Sequence, residues 1–318
     1  MTDKKRPKDQ GFTLIELIVA MAISLVVMAA IFTTFKSQQD SFVVQTQVSA
    51  TQQNLRAAMY MITRDIQMAG YYTSFDTKNY SGSDAYNWDP TIAGNETSRP
   101  ILYGRSNDDA SGDVKDGTDL IVIVKASNED ADNQEISSGL GDSVGVNTIT
   151  LHSNDIDFNE ASKTYGVLVK SDLSRAEFFE ISSISGNTLT LKNNLEDIYG
   201  DGDIIFRADV IIYKVNEDDD LERRNLGNDN NNWQVVAENI ENFQVRYHLS
   251  DTTTAVDISG DANNVRAIEV ALLSRTENII RGYTDPHTYN MTDETITPND
   301  GFQRRLLCST IKTRNIGL

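Results

Sequence analysis

Several short stretches carry residue types that could do chemistry. GDSVG (141–145) puts Ser143 in the pattern G-x-S-x-G. That pattern presents a serine nucleophile when a strand precedes it and a helix follows. Here the polar SNEDADNQEISSGL precedes and the β-type VNTITL follows, so the stretch reads as a glycine turn. In DIDFN, Asp155, Asp157 and Asn159 alternate as oxygen ligands do at the start of a calcium loop. Glu160 stands where the turn glycine belongs and Gly166 where the bidentate glutamate belongs, so these candidate metal ligands read first as a solvated loop. NEDDD (216–220) is followed by LERRN, which offsets part of its charge locally. His152, His248 and His287 lack an H-x-x-x-H or C-x-x-C neighbour, and there is no G-x-x-x-x-G-K-[ST] loop. No enzyme and no cofactor are expected. The lone Cys308 cannot close an intrachain disulfide and is expected to serve as a small buried apolar residue.

The remaining candidate is Glu16, the one ionisable side chain between Phe12 and Phe35. This run of 24 residues is long enough to cross a hydrocarbon core of about 30 Å. It is too long for an ordinary secretory core, and no A-x-A cleavage site follows it. A carboxylate at mid-membrane costs about 2.5–3.5 kcal/mol on insertion scales, so a partner is expected. Leaning toward the interface is the alternative, because Glu16 lies only four residues beyond Phe12. The basic KKRPK (4–8) places the N-terminus in the cytoplasm and the bulk of the chain across the membrane.

The residues around Glu16, KDQGFTLIELIVAMAI, closely resemble the prepilin signal of type IV pilins and type II secretion pseudopilins. Gly11, Phe12, Thr13, Leu14 and Glu16 all sit where that motif requires. The resemblance implies cleavage between Gly11 and Phe12 by the prepilin peptidase, then N-methylation of Phe12. It also implies that Glu16, unpaired in the membrane, pairs with the N-terminal amine of a neighbouring subunit during assembly. Cleavage would remove four basic and two acidic side chains, leaving 307 residues and taking the formal charge from -19 to -21.

Stepping along the chain, Val44, Val48, Leu55, Met59, Ile62, Ile66 and Ala69 recur at helical spacing, with no proline from Lys36 to Ala69 and Gly70 as a C-terminal stop. One helix is therefore expected over about Phe12–Ala69, membrane or filament core in its first half and amphipathic in its second. Residues 71–117 read as a long connecting loop. Beyond it come β-type runs at 118–124, 147–151, 165–170, 176–181, 187–191, 203–215, 242–249 and 266–274, separated by turn clusters. The expected fold is α+β: a long N-terminal helix packed on a mainly antiparallel β-sheet head, as in type IV pilins. The expected divisions are 1–11 (leader), 12–35 (membrane or filament core), 36–69 (amphipathic helix) and 70–318 (head).

MITRDIQMAGYY (61–72), VAENIENFQVRYHL (236–249), VRAIEVALLSRT (265–276) and RRLLCSTIKTRNIGL (304–318) resemble blocks of PilW-type minor pilins. The resemblance implies a structural subunit of the inner membrane, head in the periplasm, that enters a type IV pilus near its tip and primes assembly. Implied partners are other minor and major pilins, the prepilin peptidase, the inner-membrane assembly platform and a tip adhesin. A J-like tip pseudopilin of type II secretion is the alternative within the class. A signal-anchored periplasmic binding module is the alternative outside it. The formal charge of -19 argues against a nucleic-acid surface.

Overall fold

The computed structural model describes residues 12–71, 102–105, 114–127, 134–135, 145–151, 165–192, 194–195, 197–200, 202–226, 232–256 and 264–316. They fall in two compact units, one ending at Ala50 and one starting at Thr51. A continuous helix, α1 (Leu14–Met68), runs through the first unit into the second. The strands are β1 (Leu102–Arg105), β2 (Leu120–Ala126), β3 (Gln134–Glu135), β4 (Thr148–Thr150), β5 (Tyr165–Val169), β6 (Ala176–Ser185), β7 (Thr188–Leu191) and β8 (Ile204–Val215). They continue with β9 (Leu221–Asn225), β10 (Gln234–Ala237), β11 (Ile240–Leu249), β12 (Thr254–Ala255), β13 (Val265–Arg275), β14 (Tyr289–Asn290), β15 (Thr295–Ile296) and β16 (Arg304–Lys312).

All pairings are antiparallel among the described residues. One sheet runs β1-β2-β8-β5-β6-β7-β4, with β3 and β9 also on β8 and β10 on β9. A second runs β12-β11-β13-β16, and β14 pairs with β15. The α+β expectation holds.

The near-continuous apolar run LIVIV of β2 is explained by burial on both faces. Side chains alternate across a strand. Ile121 and Ile123 join the core beneath α1, whereas Leu120, Val122 and Val124 join a second core on the opposite face. On β8, Ile211, Tyr213 and Val215 face the helix side, and Ala208, Val210 and Ile212 the other. Within the second unit, Leu55, Ala58, Met59, Ile62, Ile66 and Ala69 of the helical segment pack with Phe243, Val245 and Tyr247 of β11 and Ile268, Val270 and Leu272 of β13. Each fully buried Leu or Ile contributes about 1.5–3 kcal/mol. This is the expected apolar stripe from Leu55 onward.

Eight of the described strands fall where the sequence did not indicate them: β1, β9 and β16, and the short β3, β10, β12, β14 and β15. β1 lies inside the expected loop 71–117, β9 inside the turn-rich 216–226, and β16 in a stretch with no clean alternation. β16 lacks the pattern because most of its residues on both faces are partly or wholly exposed. Cys308 sits there and is exposed, which corrects the expectation of a buried role. Its cross-strand neighbour Ala271 is buried, but β16 is the outermost strand of its sheet among the described residues.

Candidate assembly segment and its anchor in the head

The start of α1 is a reciprocal cap. Thr13 precedes the first helical residue, and Glu16 lies three positions on. The Thr13 amide and hydroxyl donate to Glu16 Oε2 at 2.9 and 3.0 Å, and the Glu16 amide donates to Thr13 Oγ1 at 3.4 Å. This is a capping box, which satisfies helix amides that have no intrahelical acceptor. The Glu16 carboxylate is thus held by its own helix terminus. The signal was legible as T-x-x-E ahead of an apolar run. Phe12 is described and 92% exposed, and the large apolar side chains from Leu14 to Phe35 are exposed around it. Gly11 lies outside the described residues. The helix is long and apolar enough to cross a membrane.

At its other end the helix is fastened to the sheets by polar contacts the sequence did not reveal. Asp65 is buried among apolar neighbours. Its Oδ2 accepts from the Tyr213 hydroxyl at 2.6 Å and from Arg223 Nε at 3.0 Å. β8 and β9 present these two groups at directly opposed positions. Burial raises the Tyr213 hydroxyl, and the Asp65 carboxylate raises it further. Burial works against the charge on Arg223, but Asp65 outweighs it and the guanidinium is held above its ordinary value. Such a pair fixes the helix on the sheet because either group alone would be a costly buried polar site.

The chain exit is equally constrained. Gly70 has φ +76°, the left-handed conformation that follows many helices. Its amide donates to Val124 C=O at 2.9 Å, and the Ala126 amide donates to Tyr71 C=O at 2.9 Å, so β2 receives the chain directly. A Cβ on Gly70 would lie 2.8 Å from Ile316 Cγ1.

The other sequence candidates do not assemble into a site. Ser143, His152, Asp155, Asp157 and Asn159 lie outside the described residues. His248 Nε2 lies 3.5 Å from Glu269, and His287 Nδ1 lies 2.8 Å from Asp285, on different elements. No group of three or more metal-type ligands occurs among the described residues. In the acidic run 216–220, Asp219 pairs with Lys115 and Arg275, and Asn216 Oδ1 accepts from the amides of Asp218 and Asp220. The neutralising partners of Asp219 thus come from outside the LERRN segment.

A second buried polar centre was also missed. The Arg304 side chain is 1% exposed and binds Glu241 through Nε and Nη2, and Asp300 through Nη1 and Nη2. Asp285, fully buried, lies 3.5 Å from it and accepts from the Tyr289 hydroxyl at 3.0 Å. Burial alone would raise the Asp285 carboxyl. The hydrogen bonds from His287 and Tyr289 and the charge of Arg304 outweigh it and hold the group below the ordinary carboxylate range. This centre pins the long excursion between β13 and β16 to the sheet.

Residues 6–32 match the family described as the Prokaryotic N-terminal methylation motif, and residues 212–315 match the Type IV Pilus-assembly protein W family. The chain therefore joins a prepilin-type N-terminus to a C-terminal segment of PilW type. The first match contains Gly11, Phe12, Thr13 and Glu16, and the second contains Tyr213, Arg223 and Arg304. Both families are structural pilin components, not enzymes. The methylation motif and the exposed apolar helix together indicate membrane anchoring, and the family implies contact with other pilins and with assembly machinery.

No curated protein matches the chain. Among solved structures, the type IV-like pilin TTHA1219 from Thermus thermophilus is 17% identical over 49% of this chain and 86% of its own, with a TM-score of 0.28. The tailspike protein gp49 from Pseudomonas phage LKA1 is 28% identical over 24% of this chain, with a TM-score of 0.19; the match spans 14% of the tailspike.

Proposed function

We propose that the chain is a minor pilin, cleaved between Gly11 and Phe12 and N-methylated on Phe12, that enters a type IV pilus at or near its tip and helps to prime assembly. The observation that carries this reading is the capping box at Thr13–Glu16, directly after the proposed cleavage point and at the head of an exposed apolar helix. Cleavage creates a cationic amine on Phe12, one residue ahead of the cap. In the precursor, the Glu16 carboxylate is satisfied locally by Thr13. In the growing filament it is offered the amine of a neighbouring subunit, and a carboxylate–ammonium pair in an apolar bundle is barely screened. An offset that leaves either charge alone costs several kcal/mol, so the pair selects axial register. The domain roles follow: residues 1–11 are removed, 12–35 lie in the membrane and then in the filament core, and the head is carried in the periplasm before assembly. The partners are other minor and major pilins, the prepilin peptidase, the inner-membrane platform and a tip adhesin.

The test is mass spectrometry of the chain recovered from sheared pili. The expected N-terminus is methylated Phe12. Residues 1–11 intact on the filament-borne chain would defeat the reading, and so would a chain that is cleaved but absent from filaments. Gly11→Val should leave the longer precursor in the membrane, because a peptidase must approach that backbone closely.

A further inference from the structure

Among the described residues, the second sheet ends in an edge that is unpaired on one side. β13 lies on one side of β16, and no described residue pairs with the other. Two bonds fix which backbone groups face outward. The Thr276 amide donates to Gln303 C=O at 2.9 Å, and the Thr313 amide donates to Arg266 C=O at 3.2 Å. Bonded and non-bonded pairs alternate along an antiparallel ladder. With Arg304 opposite Arg275 and Lys312 opposite Ala267, the odd-numbered residues of β16 bond to β13. The N–H and C=O groups of Leu306, Cys308, Thr310 and Lys312 therefore point away from the sheet. Cys308, Thr310 and Lys312 are exposed.

Native sheets blunt a free edge by keeping it short, bulging it or placing proline in it. β16 has nine residues, pairs with β13 without a register shift and contains no proline. What it does carry is positive charge. Arg305, Lys312 and Arg314 are exposed, and no Asp or Glu occurs from Gly301 to Leu318, in a chain of formal charge -19. Like charges placed opposite one another destabilise a strand pair, so this strip disfavours a second copy of itself and favours an acidic strand.

We propose that the open edge of β16 accepts an extended acidic segment of a neighbouring, different pilin subunit as an added strand. The proposal rests on the filament reading above. Main-chain bonds to Cys308, Thr310 and Lys312 supply the affinity. The basic side chains select the partner.

The test places a photo-crosslinking residue at Thr310 of the full chain in piliated cells, with a second at Thr295 as a control outside the edge. Crosslinked peptides are then identified from sheared pili. The expected product joins position 310 to an acidic segment of another pilin, with none from 295. Thr310→Pro removes an outward N–H while leaving the β13 ladder intact. It should lower co-purification of that partner about fivefold, whereas Thr310→Ala should not change it. Should Thr310→Pro fail to fold, Lys312→Glu must weaken the crosslink instead. A product joining two copies of β16, or no product in pili that contain the chain, overturns the proposal. A chain absent from pili overturns the filament reading, and this proposal falls with it.

Discussion

Glu16 and Asp65 are carboxylates near opposite ends of one helix, and they are satisfied in opposite ways. Glu16 is exposed, and the partners of its carboxylate, the Thr13 amide and hydroxyl, lie three residues away on the same chain. Asp65 is buried, and its partners come from β8 and β9, far along the sequence. A local cap travels with its helix into any surroundings and can be exchanged at the cost of one capping interaction, about 0.5–2 kcal/mol. A tertiary pair exists only while the head is folded, and losing one member strands the other. The first arrangement suits a group that must change partners; the second suits one that must not.

The sharpest way to break this comparison is to remove each carboxylate in the full chain and measure both thermal unfolding of the head and recovery in pili. Asp65→Ala leaves the buried Tyr213 hydroxyl and the partly buried Arg223 without their acceptor. It should destabilise the head by about 3–5 kcal/mol. Glu16→Ala should leave head unfolding unchanged yet make the chain scarce in sheared pili. Equal melting of Asp65→Ala and the wild type would remove the distinction.

A smaller effect tests whether buried carboxylates of the head share the behaviour of Asp65. Asp285 is held below the ordinary carboxylate range, so its folded value is depressed relative to the unfolded chain. Its contribution is then fully present above the unfolded value, about 3.9, and is lost as pH falls through the folded one. Asp285→Asn should cost about 1.5–3 kcal/mol near neutral pH and flatten the loss of stability below about pH 4. An unchanged acid profile would show that Asp285 does not carry that loss.

Gly70 gives a smaller effect again. At φ +76°, with Ile316 Cγ1 in the way of a Cβ, Gly70→Ala should cost about 1–2 kcal/mol. The measurement is the unfolding midpoint of the full chain. Wild-type stability would mean that the helix exit relaxes freely and does not fix the helix on β2.

What was legible in the sequence follows from whether a pattern is local. The helix, its stop at Gly70 and its stripe from Leu55 to Ala69 rest on spacing within one segment, and they were readable. So was the T-x-x-E cap, although the apolar run drew attention to the charge of Glu16 and away from its neighbour Thr13. Asp65, Arg223, Asp285 and Arg304 were not readable, because each looks like an ordinary surface charge until partners distant in sequence meet it. β16 was missed for a related reason. An outermost strand buries little on either face, so RRLLCSTIK carries no alternation. Cys308 was expected inside on residue type alone, and its place on that strand exposes it.

The least costly change sharpens the comparison most. Thr13→Ala deletes the hydroxyl that both donates to Glu16 and accepts from its amide, but keeps the Thr13 amide bond and the charge. Loss of such a cap costs about 0.5–2 kcal/mol at the helix terminus, and that terminus is remote in sequence from the head core. Head unfolding should therefore be unchanged. Recovery in pili separates two roles for Glu16. If assembly requires its charge to pass to a neighbour's amine, loosening the hold of Thr13 leaves incorporation at or above the wild-type level. If assembly instead requires a rigid, capped helix start, Thr13→Ala lowers incorporation as far as Glu16→Ala does. The first outcome is expected, because the amide of residue 13 still holds the carboxylate in place until a cationic amine is offered.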